Sequence, residues 1–139
     1  AGRVLLVGQI PISDMKQGII LFAHGARDPQ WSLPFERVAA RTQQLMQHAT
    51  VSLAYLEFMT PTLQEAGTSL VAQGCTQLHV VPLFLGAGGH VRRDLPLIID
   101  QLKQRFPQTE WQLHPAAGES EAVIEALATT AVRAALESA

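Results

Sequence analysis

The sequence predicts a single-domain α/β fold, a three-layer sandwich in which helices cover both faces of a four-stranded parallel sheet. Three observations lead there. Apolar strand-like segments alternate with helical stretches along most of the chain, and strands separated by helices pair in parallel through right-handed crossovers. The first strand segment, Gly18 to Ala23 (GIILFA), is continuously apolar, as expected of a strand covered on both sides. The 139 residues, 47% hydrophobic and 16% charged, suit one domain with a substantial core and argue against a disordered binding segment.

The elements follow in order. After the first strand and the loop His24 to Gln30, a helix is expected from Leu33 to Gln47. Ser32 is its N-cap and Pro34 sits in the first turn. Phe35, Val38, Ala39, Thr42, Leu45 and Met46 recur at steps of three and four, which gives one apolar face. Val51 to Glu57 (VSLAYLE) reads as the second strand. Thr60-Pro61 looks like an N-cap followed by proline at the first helical position, and that helix runs to Gln73 and stops at Gly74. Leu78 to Leu85 (LHVVPLFL) is the third strand. A glycine-rich loop, Gly86-Ala87-Gly88-Gly89, comes next, and Asp94 caps a helix through Arg105. Trp111 to His114 is a short fourth strand, and Glu119 to Leu136 a final alanine-rich helix. Residues 1–14 are set apart as an N-terminal extension or extra edge segment, and 15–139 as the domain.

Composition excludes several classes of function. A formal charge of −2 gives no general basic face for nucleic acid. No apolar run is long enough for a membrane span, and the N-terminal segment makes a poor signal peptide, so the cytoplasm is the default location. The single cysteine, Cys75, allows neither an internal disulfide nor a cysteine-based zinc site, and its Gly-Cys-Thr setting reads as a small core residue.

In parallel sheets of this kind ligands sit outside the carboxyl ends of the strands. The residues with chemical capability cluster there. His24 follows the first strand, Glu57 closes the second, and His90 follows the third and its glycine loop. For His24 the plain alternative is a hydrogen bond to the turn at Arg27 or Asp28. The glycine loop is either a tight turn into the next helix or bare backbone against a flat ligand. It carries neither a dinucleotide-binding pattern nor a P-loop. Two imidazoles and a carboxylate suit a divalent ion such as Co²⁺, Fe²⁺ or Ni²⁺, leaving coordination positions open. Arg27, Arg92 and Arg93 can each pair an anionic group, or simply be solvated at a helix start. His48 reads as exposed, His79 as structural, and His114 as a weaker site candidate.

At this point the residues resemble a known family. Phe22-Ala23-His24-Gly25-Ala26-Arg27-Asp28-Pro29 looks like the opening motif of the CbiX/SirB-type sirohydrochlorin chelatases, usually written GHGSRDP. Ala54-Tyr55-Leu56-Glu57 with Thr60-Pro61-Thr62-Leu63 looks like their second motif. The stretch Val80 to Pro96 (VVPLFLGAGGHVRRDLP) is close to their most distinctive segment. The likeness spans nearly all of residues 17–139. Ala23 and Ala26 stand where glycine and serine are common in the family. Pro115-Ala116-Ala117-Gly118 replaces a Pro-Leu-Gly run, which bears on the fourth-strand loop.

The resemblance implies a chelatase-like fold and ATP-independent insertion of Co²⁺ or Fe²⁺, or Ni²⁺ in some archaeal forms, into sirohydrochlorin for cobalamin or siroheme biosynthesis. It implies no tightly bound cofactor; the divalent metal is a substrate. It assigns metal binding to His24, Glu57 and His90, and catalysis to His24 and His90, with His24 the favoured base. The loop Leu85, Gly86, Ala87, Gly88 and Gly89, with Arg27, Arg92 and Arg93, is expected to bind the anionic tetrapyrrole. A homodimer is implied, since small members resemble one half of the larger chelatases. The chemistry fits the residues, because histidine can hold a metal when neutral and still accept a proton near pH 7. A closed cysteine site would hold the ion too firmly to pass it on.

Three alternatives stand beside this reading. A non-catalytic tetrapyrrole or metal carrier would use the same pocket. A histidine phosphatase would need an arginine before His24, where Ala23 stands. A receiver domain of the CheY type would need an acidic cluster after the first strand, which the sequence lacks.

Overall fold

The computed structural model describes residues 6–7, 10–11 and 15–138. Two short strands, β1 (Leu6–Val7) and β2 (Ile10–Pro11), pair antiparallel in a sheet of their own. The rest of the 1–14 extension lies outside the described residues. The main sheet comprises β3 (Gln17–Ala23), β4 (Thr50–Tyr55), β5 (Gln77–Pro82) and β6 (Glu110–Leu113), in the order β4-β3-β5-β6, with every pair parallel. The helices are α1 (Leu33–Leu45), α2 (Leu63–Ala72), α3 (Gly89–Arg105) and α4 (Glu121–Glu137). The α/β class and the four-stranded parallel sheet are as the sequence predicts.

Alternation along the strands decides where the core sits. Ile20, Phe22, Ala54, Leu78, Val80 and Trp111 point to one face. There they meet Leu63, Ala66 and Leu70 of α2 and Leu95, Ile99 and Leu102 of α3. Cys75 belongs to this core and is 2% exposed, as expected. Tyr55 faces the other side, beside Ser32 and Glu36. Burial, and then the Glu36 charge, push its phenol pKa upward.

Several boundaries differ from the sequence reading, each for a local reason. Asp28 caps a single turn at Pro29–Ser32 by accepting from the Gln30 backbone N–H at 2.9 Å. Ser32, the predicted cap of α1, makes no capping bond; its hydroxyl donates to Pro29 O. The apolar face expected on α1 holds no buried residue, because α1 lies over β4, the edge strand. The cap of α2 is Thr62 and not Thr60. Thr62 and Glu65 form a reciprocal capping box, each side chain accepting from the other's backbone N–H, and this satisfies two otherwise free donors at once.

The second strand ends at Tyr55, so Glu57 lies just beyond it. The third ends at Pro82, earlier than Leu85. Asp94 lies inside α3, whose cap position is Gly88, so His90, Arg92 and Arg93 stand on the first turns of a helix and not in a loop. The last helix starts at Glu121, after a separate turn at Ala117–Glu119, and its substantial packing is against that turn.

His79 was expected to be structural, and its partner is now identified: its Nδ1 lies 2.9 Å from His114 Nε2, with the rings stacked. Burial first, then the neighbouring His114, lower the His79 pKa from its ordinary 6.5. The folded chain therefore takes up this proton less readily than the unfolded chain. As pH falls through the unfolded value, the unfolded state protonates first and stability is lost on the acid side. Thermal midpoints should fall between about pH 7 and about pH 5, and His79→Gln should flatten part of that fall. Superimposable profiles by circular dichroism would remove His79 from the explanation.

Candidate functional site

The predicted residues fall into two groups, His24 with Glu57 just past the ends of β3 and β4, and His90 on the first turn of α3. His24 and Glu57 come together first. Leu56 N–H donates to Ala23 O at 2.9 Å and Glu57 N–H to His24 O at 3.1 Å, which extends the β3–β4 pairing past the strands. The two side chains then meet, His24 Nε2 lying 3.0 Å from Glu57 Oε1. They are 53% and 48% exposed, so the pair is open to a ligand from solvent.

Gly25 makes this approach possible. Its φ is +93°, and a Cβ there would stand 1.9 Å from Glu57 O. Only glycine lets the backbone turn and pass the second strand end so closely. Phe84 closes the inner side, its ring edge-on to both Phe22 and His24 at 5.8 and 6.2 Å. Arg27 does not reach the pair; its guanidinium lies 4.7 Å from the centre of the Phe58 ring.

His90 is placed differently. Its Nε2 lies 3.0 Å from Asp94 Oδ2, one helical turn along α3, and its side chain is 84% exposed. The structure thus holds two histidine–carboxylate pairs at this edge. Among the described residues no three His, Cys, Asp or Glu side chains are gathered closely enough to hold one ion. The Asp94 partnership was readable as an i, i+4 spacing, but the sequence reading used Asp94 as a cap.

Leu85, Gly86, Gly88 and Gly89 are exposed, and Ala87 is half-buried. None of the three glycines has a positive φ, and none has protein within 4 Å of where a Cβ would stand. Neither backbone conformation nor the chain's own packing demands glycine there. Arg92 Nη2 donates to Ala87 O at 2.9 Å and ties the loop to α3, while Arg93 is exposed beside it.

Between this loop, α3 and the segment after β6 lies a cavity of about 470 Å³. Phe84, Arg92, Pro96, His114 and Glu119 are among its walls. Sequence reasoning gave Pro96 and Glu119 no role and gave His114 little weight. Gly118 joins the two sides: its N–H donates to Phe84 O at 2.9 Å, and a Cβ would stand 1.8 Å from Leu85 O. The Pro115–Gly118 segment, a departure from the family pattern, therefore still carries the glycine that lets the loop base sit close.

Chemically, the edge offers an imidazole nitrogen and a carboxylate oxygen together, a second such pair on α3, and an uncluttered glycine strip. Such a set can bind a divalent cation and can accept protons. No helix among the described residues is long and apolar enough to cross a membrane.

The CbiX family model matches residues 18–134. A sirohydrochlorin cobaltochelatase from Saccharolobus solfataricus is 33% identical over 100 residues, 69% of this chain and 77% of that protein. The crystal structure of a CbiX protein from Marinobacter aquaeolei VT8 superposes with a TM-score of 0.76 at 33% identity, covering 88% of this chain and 99% of that one. The sirohydrochlorin chelatase SirB from Bacillus subtilis subspecies spizizenii, solved in complex with cobalt, gives a TM-score of 0.66 at 26% identity, over 73% of this chain and 44% of SirB.

Proposed function

Since the chain belongs to the CbiX family, we propose that it is a chelatase that inserts Co²⁺ or Fe²⁺ into sirohydrochlorin, without ATP, on the way to cobalamin or siroheme. The observation that carries this reading is the His24–Glu57 pair, 3.0 Å apart and half-exposed at the carboxyl edge of the sheet. Beside it runs a glycine strip whose glycines the protein's own packing does not require.

Insertion replaces two pyrrole N–H protons by one divalent ion, so the site must accept protons and release a metal. His24 is the base. Glu57, hydrogen-bonded to its Nε2, fixes the ring and stabilises the imidazolium that forms. The ring nitrogen that Glu57 leaves free, with a carboxylate oxygen, holds the incoming ion first and leaves its other positions open; as the ion passes to the macrocycle, that nitrogen takes the two displaced protons in turn and hands each to solvent. His90, exposed on the first turn of α3, is the third ligand once it gives up Asp94. The macrocycle lies against Leu85 to Gly89, and Arg27, Arg92 and Arg93 pair its peripheral carboxylates. Ni²⁺ fits the same donors. The active form is a homodimer in the cytoplasm.

The test is an anaerobic absorbance assay of sirohydrochlorin with Co²⁺ or Fe²⁺. The expected result is many equivalents of metallated product per chain, and the faster metal selects the pathway. Stoichiometric binding without turnover would overturn the enzyme reading in favour of a carrier.

A further inference from the structure

Among the described residues three have a positive φ: Gly25 at +93°, Gly74 at +95° and Phe58 at +65°. At two of them the chain uses glycine, which turns left-handed at no steric cost. Phe58 is the exception, and a bulky side chain is the unfavourable choice in that conformation. Burial does not offset the strain, because Phe58 is 56% exposed. Neither the backbone nor the core asks for a phenyl ring at this position, so its use lies in what the ring touches.

The ring touches Arg27. The guanidinium carbon lies 4.7 Å from the ring centre, inside the range of a cation–π contact. Phe58 directly follows Glu57, and Arg27 stands three residues past His24. The contact therefore bridges the same two chain segments that the His24–Glu57 pair bridges. Among the described residues Arg27 pairs with no carboxylate. The neighbouring Asp28 accepts from the Gln30 backbone N–H instead. An aromatic ring offers a guanidinium no strong acceptor, so the N–H fork of Arg27 is left for an incoming anion. An exposed arginine loses rotamer freedom when it binds, and one already held on a ring loses less.

We propose that Phe58 is a positioning residue: its ring holds the Arg27 guanidinium at the rim of the His24–Glu57 site, ready to pair one peripheral carboxylate of the tetrapyrrole. The proposal rests on the chelatase reading above, which supplies the anionic ligand. The test is an anaerobic titration of the full chain with metal-free sirohydrochlorin, followed by absorbance, together with KM and kcat for Co²⁺ insertion. Arg27→Ala is expected to weaken binding about tenfold or more. Phe58→Leu keeps the apolar bulk and loses the π face, so it should weaken binding about fivefold, and Phe58→Gly by a similar factor. Phe58→Tyr keeps the ring and should stay within about twofold of wild type. The losses should fall on KM more than on kcat, since the pair meets the substrate's periphery and not the reacting nitrogens. Adding Phe58→Leu to Arg27→Ala should weaken binding no further. Unchanged far-ultraviolet circular dichroism keeps the comparison among folded chains. Binding that Phe58→Leu leaves as tight as wild type, or strictly multiplicative losses in the double variant, would overturn the positioning role and leave the chelatase reading standing. A wild type that takes up no sirohydrochlorin would overturn both.

Discussion

Replacing His24 by alanine is expected to slow metal insertion by about 10²- to 10³-fold, the usual contribution of a positioned acid–base group. His24 is the imidazole whose ring is held by a carboxylate at 3.0 Å and sits edge-on to Phe84. Its loss removes a base and a metal donor together. Glu57→Gln keeps the shape and one acceptor oxygen but removes the charge, so a smaller loss, about tenfold, is expected. If the two side chains act as one unit, the double variant is no slower than His24→Ala alone. Initial rates with sirohydrochlorin and Co²⁺ would decide this. A His24→Ala variant as fast as wild type would take the base out of the mechanism, and strictly multiplicative losses would deny the coupling.

The second large effect is expected at Gly25. Gly25→Ala forces a Cβ onto a backbone of φ +93° and to within 1.9 Å of Glu57 O. Backbone atoms cannot swing aside as a flexible side chain can. Relief therefore requires pulling apart the two strand ends, which the Glu57 N–H to His24 O bond joins. A loss of about 3 kcal/mol of stability is expected, with a fall in thermal midpoint of roughly 10 °C. Gly74→Ala is the control. Gly74 has a similar φ, +95°, but nothing within 4 Å of its Cβ position, so only the conformational strain, about 1 kcal/mol, should appear. Urea denaturation of both variants measures the difference. Equal losses would show that the close approach to Glu57 contributes nothing.

Much of this site was legible in the sequence because topology is a local property repeated. Once the apolar runs are recognised as strands joined by helices, the residues following each run must share one sheet edge. That reasoning put His24 and Glu57 just past strand ends without any contact information, while His90 stands on the first turn of α3. The capping errors show the limit. Thr60 and Thr62 are equally good caps on paper, and the choice falls to Thr62 because Glu65, three residues on, can return its hydrogen bond. On the sequence alone Asp94 reads as a cap, with the helix starting after the arginines. In fact it starts at Gly89, which frees Asp94 to pair with His90.

By itself the sequence determined the fold class, the order of the elements and the chemical types at the sheet edge, since these follow from periodicity and from residue chemistry. Only the tertiary structure decided which of these residues touch. Pairing His24 with Glu57 depends on a backbone contact between chain segments 33 residues apart, and periodicity carries no information about such a distance. The same holds for Gly118 against Leu85 and for His79 against His114. The apolar faces of α1 and α4 make the complementary point. The sequence could mark them as apolar, but whether an apolar face is buried depends on what the rest of the chain brings against it, and here the chain's own core is filled by α2 and α3.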